Sequence, residues 1–451
     1  METNERYKII NGNSLEVLDT LAENSIDAIV TDPPYELGFM GKKWDSTGIA
    51  YNVELWKKAM RVLKPGGFLL AFGGTRTYHR IACAIEDAGF FIKDCIMWLY
   101  GSGFPKSMAL DKSIEGKLTT GSANKTQFKN LSGELVDRGN YGYAKMQNEQ
   151  GNRPADYNLI EEKRLDKLNP TTELAKKYSG WGTCLKPAYE PIIVAQKPTE
   201  GSITDNVIKY GVGGMNIDEC RIGLKDNETK KGGFGQAKTG FQKGIGNSGD
   251  EDYKCEWKED TSGRFPANVI HDGSEEATKD MPESKGASSQ NNFSNGHIYR
   301  GQSLQESKTS LNGFREWYND EGSAARYFYC AKASSKDRDE GLDKFVDKNI
   351  HPTVKPTTLM QYLIRLVTPK GGTVLDIFNG SGSTGKAVAY ENKERDADYK
   401  YIGIELDPEY CEISKARIKY AEDATCIEPE VLTPEEIEVE EEQDSGYYDL
   451  F

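Results

Sequence analysis

Gly372-Thr373-Val374-Leu375-Asp376-Ile377-Phe378-Asn379-Gly380-Ser381-Gly382-Ser383-Thr384-Gly385 is the stretch on which the fold turns. Its first seven residues are strand-like. The glycines behind them allow a sharp turn and a close approach of ligand to backbone. Lys386 to Tyr390 has helical character, and Tyr401-Ile402-Gly403-Ile404-Glu405 is a second short apolar strand closed by an acid. Strand, Gly loop, helix, strand and acid together form the nucleotide-binding unit of an open α/β sheet, the acid placed to take two ribose hydroxyls. Gly380, Gly382 and Gly385 also satisfy G-x-G-x-x-G, so these residues alone leave an NAD or FAD site open.

A second signal lies far upstream. Ile26-Asp27-Ala28-Ile29-Val30-Thr31 reads as a short buried strand, closed by Asp32-Pro33-Pro34-Tyr35. Two consecutive prolines neither continue a ladder nor start a helix freely, so the chain leaves the sheet in a rigid, extended turn. That turn gathers a carboxylate, a main-chain carbonyl and an aromatic face. The combination suits a flat heterocycle bearing an exocyclic amine: two acceptors for the NH₂ and a ring to stack on. A nicotinamide oxidoreductase would use the Gly loop and Glu405 but would leave Asp32 to Tyr35 unexplained.

Taken together, these residues resemble the S-adenosylmethionine-dependent amino-methyltransferases of DNA, which methylate adenine N6 or cytosine N4. The family's Phe-x-Gly-x-Gly loop is matched by Phe378-Asn379-Gly380-Ser381-Gly382 and its catalytic turn by Asp32 to Tyr35. Turn first, loop last and a long segment between is similar to the circularly permuted β-class order, with target recognition inserted between the halves. Gly101 to Ser107, Gly180 to Thr183 and Gly263 to Asn268 resemble phage and prophage members in particular.

The resemblance implies an α/β fold: a doubly wound, mainly parallel Rossmann-like sheet with an antiparallel edge hairpin made of Phe90 to Tyr100 and Glu190 to Gln196. It implies Asp32, Pro33, Pro34 and Tyr35 as catalytic residues. It implies S-adenosylmethionine held by Asn13, Asp32, Thr353, Lys355, Asp376, Phe378, Gly380, Gly382 and Glu405, with Thr353 and Lys355 near the methionine end and Glu405 on the ribose diol. Asn13 departs from the acid many relatives carry there; its amide oxygen still accepts but brings no charge. Ile377 replaces a proline frequent before the loop's Phe. Asp as the first residue of the turn is commoner in adenine-N6 enzymes and Ser in cytosine-N4 ones, which favours adenine.

Composition frames the rest. A chain of 451 residues holds two or more compact units. The expected layout is a catalytic half over 1–110, an insertion over 111–180, a core edge strand in 181–198, a loop-rich target-recognition region over 199–348, a cofactor half over 349–420 and an acidic, disordered tail over 421–451. Helices are expected at Ser14 to Leu21, at Val53 to Leu63 with Trp56 and Met60 inward, at Arg76 to Ala88 and at Thr357 to Val367. The net charge of −14 looks wrong for a DNA enzyme until it is partitioned: the tail carries twelve acids and no Lys or Arg, and the remainder has 57 basic against 59 acidic residues. DNA binding depends on local basic faces rather than on that sum.

None of the eight cysteines sits at C-x-x-C spacing, which argues against zinc, and no other metal is expected. None follows a proline, so the Pro-Cys nucleophile of cytosine-C5 enzymes is missing. With no apolar run of 18 residues and a polar, charged N-terminus, neither a membrane span nor a signal peptide is expected, and the setting is cytoplasmic, in a bacterium or encoded by a phage. The expected partner is double-stranded DNA, with room for a homodimer. Asp449-Leu450-Phe451 resembles peptides that dock on the bacterial sliding clamp, against the plainer reading of a solvated acidic tail with an apolar tip.

Overall fold

The computed structural model describes residues 6–37, 43–103, 107–120, 127–129, 135–137, 170–224, 230–231, 259–260, 263–284, 322–331, 334–346 and 348–423. The tail with Asp449-Leu450-Phe451, much of the expected insertion over 111–180 and much of the expected target-recognition region over 199–348 lie outside the described residues. The chain divides into two compact units, Met1–Ser102 with Ala188–Phe451, and Gly103–Pro187.

The larger unit is built on a nine-stranded sheet. Its strands are β1 (Tyr7–Asn11), β2 (Ile26–Thr31), β3 (Leu63–Phe72), β4 (Phe91–Leu99), β5 (Tyr189–Gln196), β6 (Val269–His271), β7 (Tyr329–Cys330), β8 (Thr373–Asp376) and β9 (Lys400–Glu405). They lie in the order β1-β9-β8-β2-β3-β5-β4-β6-β7. All neighbours run parallel except β5, which is antiparallel to both β3 and β4.

All six residues of β2 are buried, as a central parallel strand covered on both faces requires. Its one acid, Asp27, is paired: Lys64 Nζ donates at 2.6 Å and the Thr373 amide at 2.8 Å. On one face pack α1 (Ser14–Thr20), α2 (Val53–Val62) and α3 (Tyr78–Asp87), with Trp56 fully buried and Met60 only partly so. On the other face lie α5 (Thr357–Val367), buried almost all round, and α6 (Ser383–Arg395). The short α4 (Ile203–Tyr210) closes the start of β3 through Asn206, whose Nδ2 donates to the Pro65 and Val212 carbonyls. The last helix is α7 (Pro408–Asp423).

The antiparallel strand pair is present, but it does not end the sheet. Two short strands, β6 and β7, continue it beyond β4. They come from the stretch between 199 and 348, where runs of two or three residues give no periodicity to read. Of the two, β6 covers only the second half of β4: Met97 to Leu99 are paired with Val269 to His271, while Phe91 and Ile92 stay exposed.

In the smaller unit, helix Leu110–Thr120 and helix Glu173–Lys177 are joined by one carboxylate. Glu115 accepts from the Thr171 hydroxyl, the Thr172 amide and the Thr172 hydroxyl. No helix among the described residues is long and apolar enough to cross a membrane, and no group of His, Cys, Asp or Glu among them is placed to hold a metal ion.

Candidate active site

The site forms where β2 and β8 end. These strands are parallel neighbours with Val374 opposite Ala28 and Leu375 opposite Ile29, so the turn after Thr31 and the loop after Asp376 leave the sheet on the same rim. A direct bond ties them: Thr31 Oγ1 donates to Asp376 Oδ1 at 2.6 Å. Such a rim, at the carboxyl ends of parallel strands, is where open α/β sheets bind ligands.

Asp32 leaves β2 with its two oxygens in different situations. Oδ2 accepts from Lys355 Nζ at 2.8 Å. Oδ1 is buried and has no hydrogen-bond partner among the described residues. Lys355 is 7 % exposed and also lies 3.2 Å from Glu190 Oε2, which in turn accepts from the Tyr35 hydroxyl at 2.9 Å. Its ammonium sits 5.4 Å from the centre of the Tyr35 ring and 5.0 Å from that of Phe72. Burial acts to lower the Lys355 pKa, but the Asp32 and Glu190 carboxylates outweigh it and raise it, which favours the ammonium form. Burial, followed by the same two charges, holds the Tyr35 phenol well above its ordinary range. Tyr100 is pushed up to about 12, by burial and then by Glu190.

The Gly loop is fixed from behind. Asp376 is 2 % exposed; Oδ1 takes the Thr31 hydroxyl and the Phe378 amide, and Oδ2 takes the Thr384 hydroxyl at 2.6 Å. Both oxygens are thus committed to the turn, which makes Asp376 the residue that shapes the loop. Glu405, at the end of β9, accepts from the Gly380 amide at 2.7 Å and the Asp407 amide at 2.9 Å, and burial raises its pKa. Gly382 has φ +80° and opens α6; a Cβ there would stand 2.3 Å from Ser414 Oγ. A Cβ on Gly380 would stand 3.0 Å from His351 Nε2. Asn379, buried beside them, accepts from the Tyr401 hydroxyl at 2.7 Å.

The remaining expected residues fall nearby with different surroundings. Asn13 is exposed and caps α1, its side-chain oxygen accepting from the Leu15 amide. Thr353 is exposed, its carbonyl 2.6 Å from His351 Nδ1. Lys355 faces Asp32 and Glu190 across the turn. Phe378 is partly buried against the α1–α3 side of the core, Pro33 is buried and Pro34 half-buried.

Sequence reasoning gave no role to Glu190, His351 or Asn379. The signal for Glu190 was strand direction. Because β5 runs against its neighbours, its first residues meet the last ones of β3, as the Gly73 amide donating to the Pro191 carbonyl shows. An acid at the start of an antiparallel strand therefore reaches the rim that acids at the ends of parallel strands reach.

A family model described as DNA methylase, of the N6/N4 type, matches residues 26–416. The chain belongs to this N6/N4 DNA methylase family. Among curated relatives, the chain is 34% identical over 109 residues to the type II methyltransferase M.HpaI of Haemophilus parainfluenzae, a match spanning 22% of this chain and 34% of that protein. It is 24% identical over 252 residues to M.HindIII of Haemophilus influenzae, spanning 46% of this chain and 64% of that protein. The match thus covers about a third of M.HpaI and just under two thirds of M.HindIII. Among solved structures, the cytosine-N4-specific PvuII DNA methyltransferase is similar at 14% identity and TM-score 0.41, covering 99% of this chain and 95% of that one. The M1.HpyAVI–SAM complex is similar at 15% identity and TM-score 0.35, covering 91% and 98%.

Proposed function

We propose that this methylase transfers a methyl group from S-adenosylmethionine to the exocyclic amine of a base flipped out of double-stranded DNA, with adenine N6 the target. The observation that carries the reading is Asp32 Oδ1, a buried carboxylate oxygen left without a partner on the rim shared with the Gly loop. A buried acceptor without a donor is costly unless a ligand supplies one. An amine NH₂ supplies it, with the Pro33 carbonyl as second acceptor.

An aromatic exocyclic amine is a poor nucleophile because its lone pair is delocalised into the ring. Two acceptors drawing on its hydrogens favour a pyramidal nitrogen, so the turn both orients and activates it. Tyr35 stacks on the base, its ring fixed through the hydroxyl bonded to Glu190. The base is out of reach inside a duplex, and extruding it costs a few kcal/mol.

The loop suits the methyl donor. The turn through Gly380 and Gly382 is fixed by Asp376 and Glu405, and on this reading Phe378 and the Glu405 carboxylate would line the donor, the carboxylate accepting from its diol. When bound, S-adenosylmethionine would supply an electrophilic methyl carbon: the amine's lone pair would form the new N–C bond, the C–S electron pair would stay on sulfur, and the methylated nitrogen would release one proton to solvent. The turn-before-loop order along the chain supports the permuted β-class arrangement. None of the six described cysteines is joined in a disulfide, which supports a reducing, cytoplasmic setting.

Incubation of the protein with duplex DNA and S-adenosylmethionine, followed by digestion and mass spectrometry, is the test. N6-methyladenine is the expected product. N4-methylcytosine would replace adenine by cytosine as the target, and no methylated base at all would overturn the reading.

A further inference from the structure

Two carboxylates converge on one buried cation beside the turn. Lys355 Nζ stands 2.8 Å from Asp32 Oδ2 and 3.2 Å from Glu190 Oε2, and among the described residues neither carboxylate has another ion-pair partner. Asp32 with Lys355 alone is neutral, and a neutral pair presents little field to a nitrogen that becomes cationic as it accepts a methyl group. Glu190 returns the cluster to −1.

Glu190 Oε2 is shared between the Tyr35 hydroxyl and Lys355, which ties its charge to the turn and to the cation together. We infer that Glu190 is a positioning residue for methyl transfer: it clamps Lys355 on Asp32 Oδ2, so that Oδ1 alone faces the amine, sets the Tyr35 ring through its hydroxyl, and supplies the net negative charge that Lys355 cancels on Asp32. The inference rests on the reading of the site as a methyl-transfer centre. It predicts that the charge count of the cluster matters more to the chemical step than the presence of any one of its ion pairs.

The experiment compares wild type, Glu190→Gln, Lys355→Met, the double variant and Tyr35→Phe by steady-state methylation of duplex DNA, with thermal melting of each. Gln keeps the shape and an acceptor for Tyr35, so Glu190→Gln should fold and lose about 100-fold in kcat, the scale of one preorganised electrostatic group. The cofactor KM should move by less than about threefold, because the loss falls on the transition state rather than on binding. The double variant returns the cluster to −1 through Asp32 and should regain about tenfold over Glu190→Gln, as an electrostatic effect of this kind allows. A purely structural Glu190 would make the second substitution additive or worse.

Wild-type kcat in Glu190→Gln, or a double variant no faster than that single one, overturns the inference while leaving methyl transfer intact. Should Glu190→Gln melt below the assay temperature, Tyr35→Phe tests the hydroxyl clamp by itself, since it leaves the charge of the cluster at −1. A kcat loss of about tenfold with intact folding supports the clamp, and an unchanged kcat overturns it. An inactive wild type is a separate result: it defeats the reading of the site itself.

Discussion

Asp32 gives one oxygen to Lys355 and, on the proposed reading, leaves the other to the substrate, a division that makes its removal selective. In Asp32→Ala, Lys355 keeps Glu190 at 3.2 Å, so the buried ammonium is not stranded and the fold should hold. Methyl transfer should fall by about 10³-fold or more, since both orientation and activation of the amine are lost. Calorimetric titration with S-adenosylmethionine should still show binding through the loop. Retained turnover would remove Asp32 from the mechanism.

Two other residues on this rim carry opposed titrations. Burial, against three hydrogen bonds, raises Asp376 from 3.8 to about 6; burial, against the Thr353 carbonyl and Asp32, lowers His351 from 6.5 to about 4. Between pH 4 and 6 the folded chain holds a proton on Asp376 that the unfolded chain has lost, so this residue makes stability fall as pH rises. Over pH 4 to 6.5 the unfolded chain holds a proton on His351 that the folded chain refuses, so stability rises with pH. In wild type the two slopes oppose each other. Asp376→Asn should uncover a stability that climbs from pH 4 to 6.5, and His351→Gln one that falls from pH 4 to 6, each by up to about 3 kcal/mol. Denaturant melts at half-unit pH steps measure this; parallel profiles in both variants would contradict it.

Legibility at this scale followed chemistry. Asp32 to Tyr35 stood out because few other jobs need that tetrapeptide. Lys355 was visible as a site residue, yet its pairing with Asp32 was not, because 323 positions separate them and nothing in either segment names the other.

Among the elements, the Gly loop and α6 depend on one close approach. Gly382 combines φ +80° with a neighbour: a Cβ would meet Ser414 Oγ at 2.3 Å and the Ser414 backbone at 2.9 Å. Gly371 has φ +77° and nothing within 4 Å. Alanine at the two positions therefore separates strain from collision. Gly371→Ala should cost only the left-handed penalty, about 1–2 kcal/mol. Gly382→Ala should add about 1–3 kcal/mol of overpacking and weaken S-adenosylmethionine binding. Equal losses in denaturant titration would mean the contact with Ser414 relaxes freely. Elements were legible where the pattern was long: α5 spans the expected Thr357 to Val367, and β2 is the expected six residues. The strand β6, three residues, pairs on the open edge of β4, and β7, two residues, pairs on β6, a property of the sheet rather than of their own sequence.

For the whole larger unit, the ion network behind the loop joins segments the sequence keeps apart. Asp337, in the short helix Ser335–Asp339, accepts from the Thr357 amide at 2.7 Å at the head of α5 and from Lys386 Nζ at 2.5 Å in α6; its carbonyl takes Arg417 Nη2 at 3.1 Å from α7. Next to it, Arg338 donates to the Asn349 and His351 carbonyls at 2.9 and 2.8 Å. One short helix at the end of the long middle region thus sets the segment bearing Lys355 against the helix that follows the Gly loop. Nothing in the sequence marked it, since a lone Ser-Lys-Asp-Arg-Asp run ordinarily reads as a solvated turn. The partners are unequally buried: Lys386 is fully enclosed, whereas the Asp337 and Glu340 side chains keep 19 and 20 % exposure. Losing the Asp337 carboxylate leaves the enclosed ammonium with Glu340 and the carbonyl of residue 337, to which it donates at 2.9 Å, and uncaps α5. Asp337→Ala should therefore cost about 3–5 kcal/mol, the scale of a broken buried pair. Lys386→Met should cost less, because the two carboxylates it abandons can be hydrated and its methylenes are replaced in kind. Denaturant unfolding of both variants checks the order, and a larger loss for Lys386→Met would show that the cation, rather than the short helix, holds the two halves of the site together.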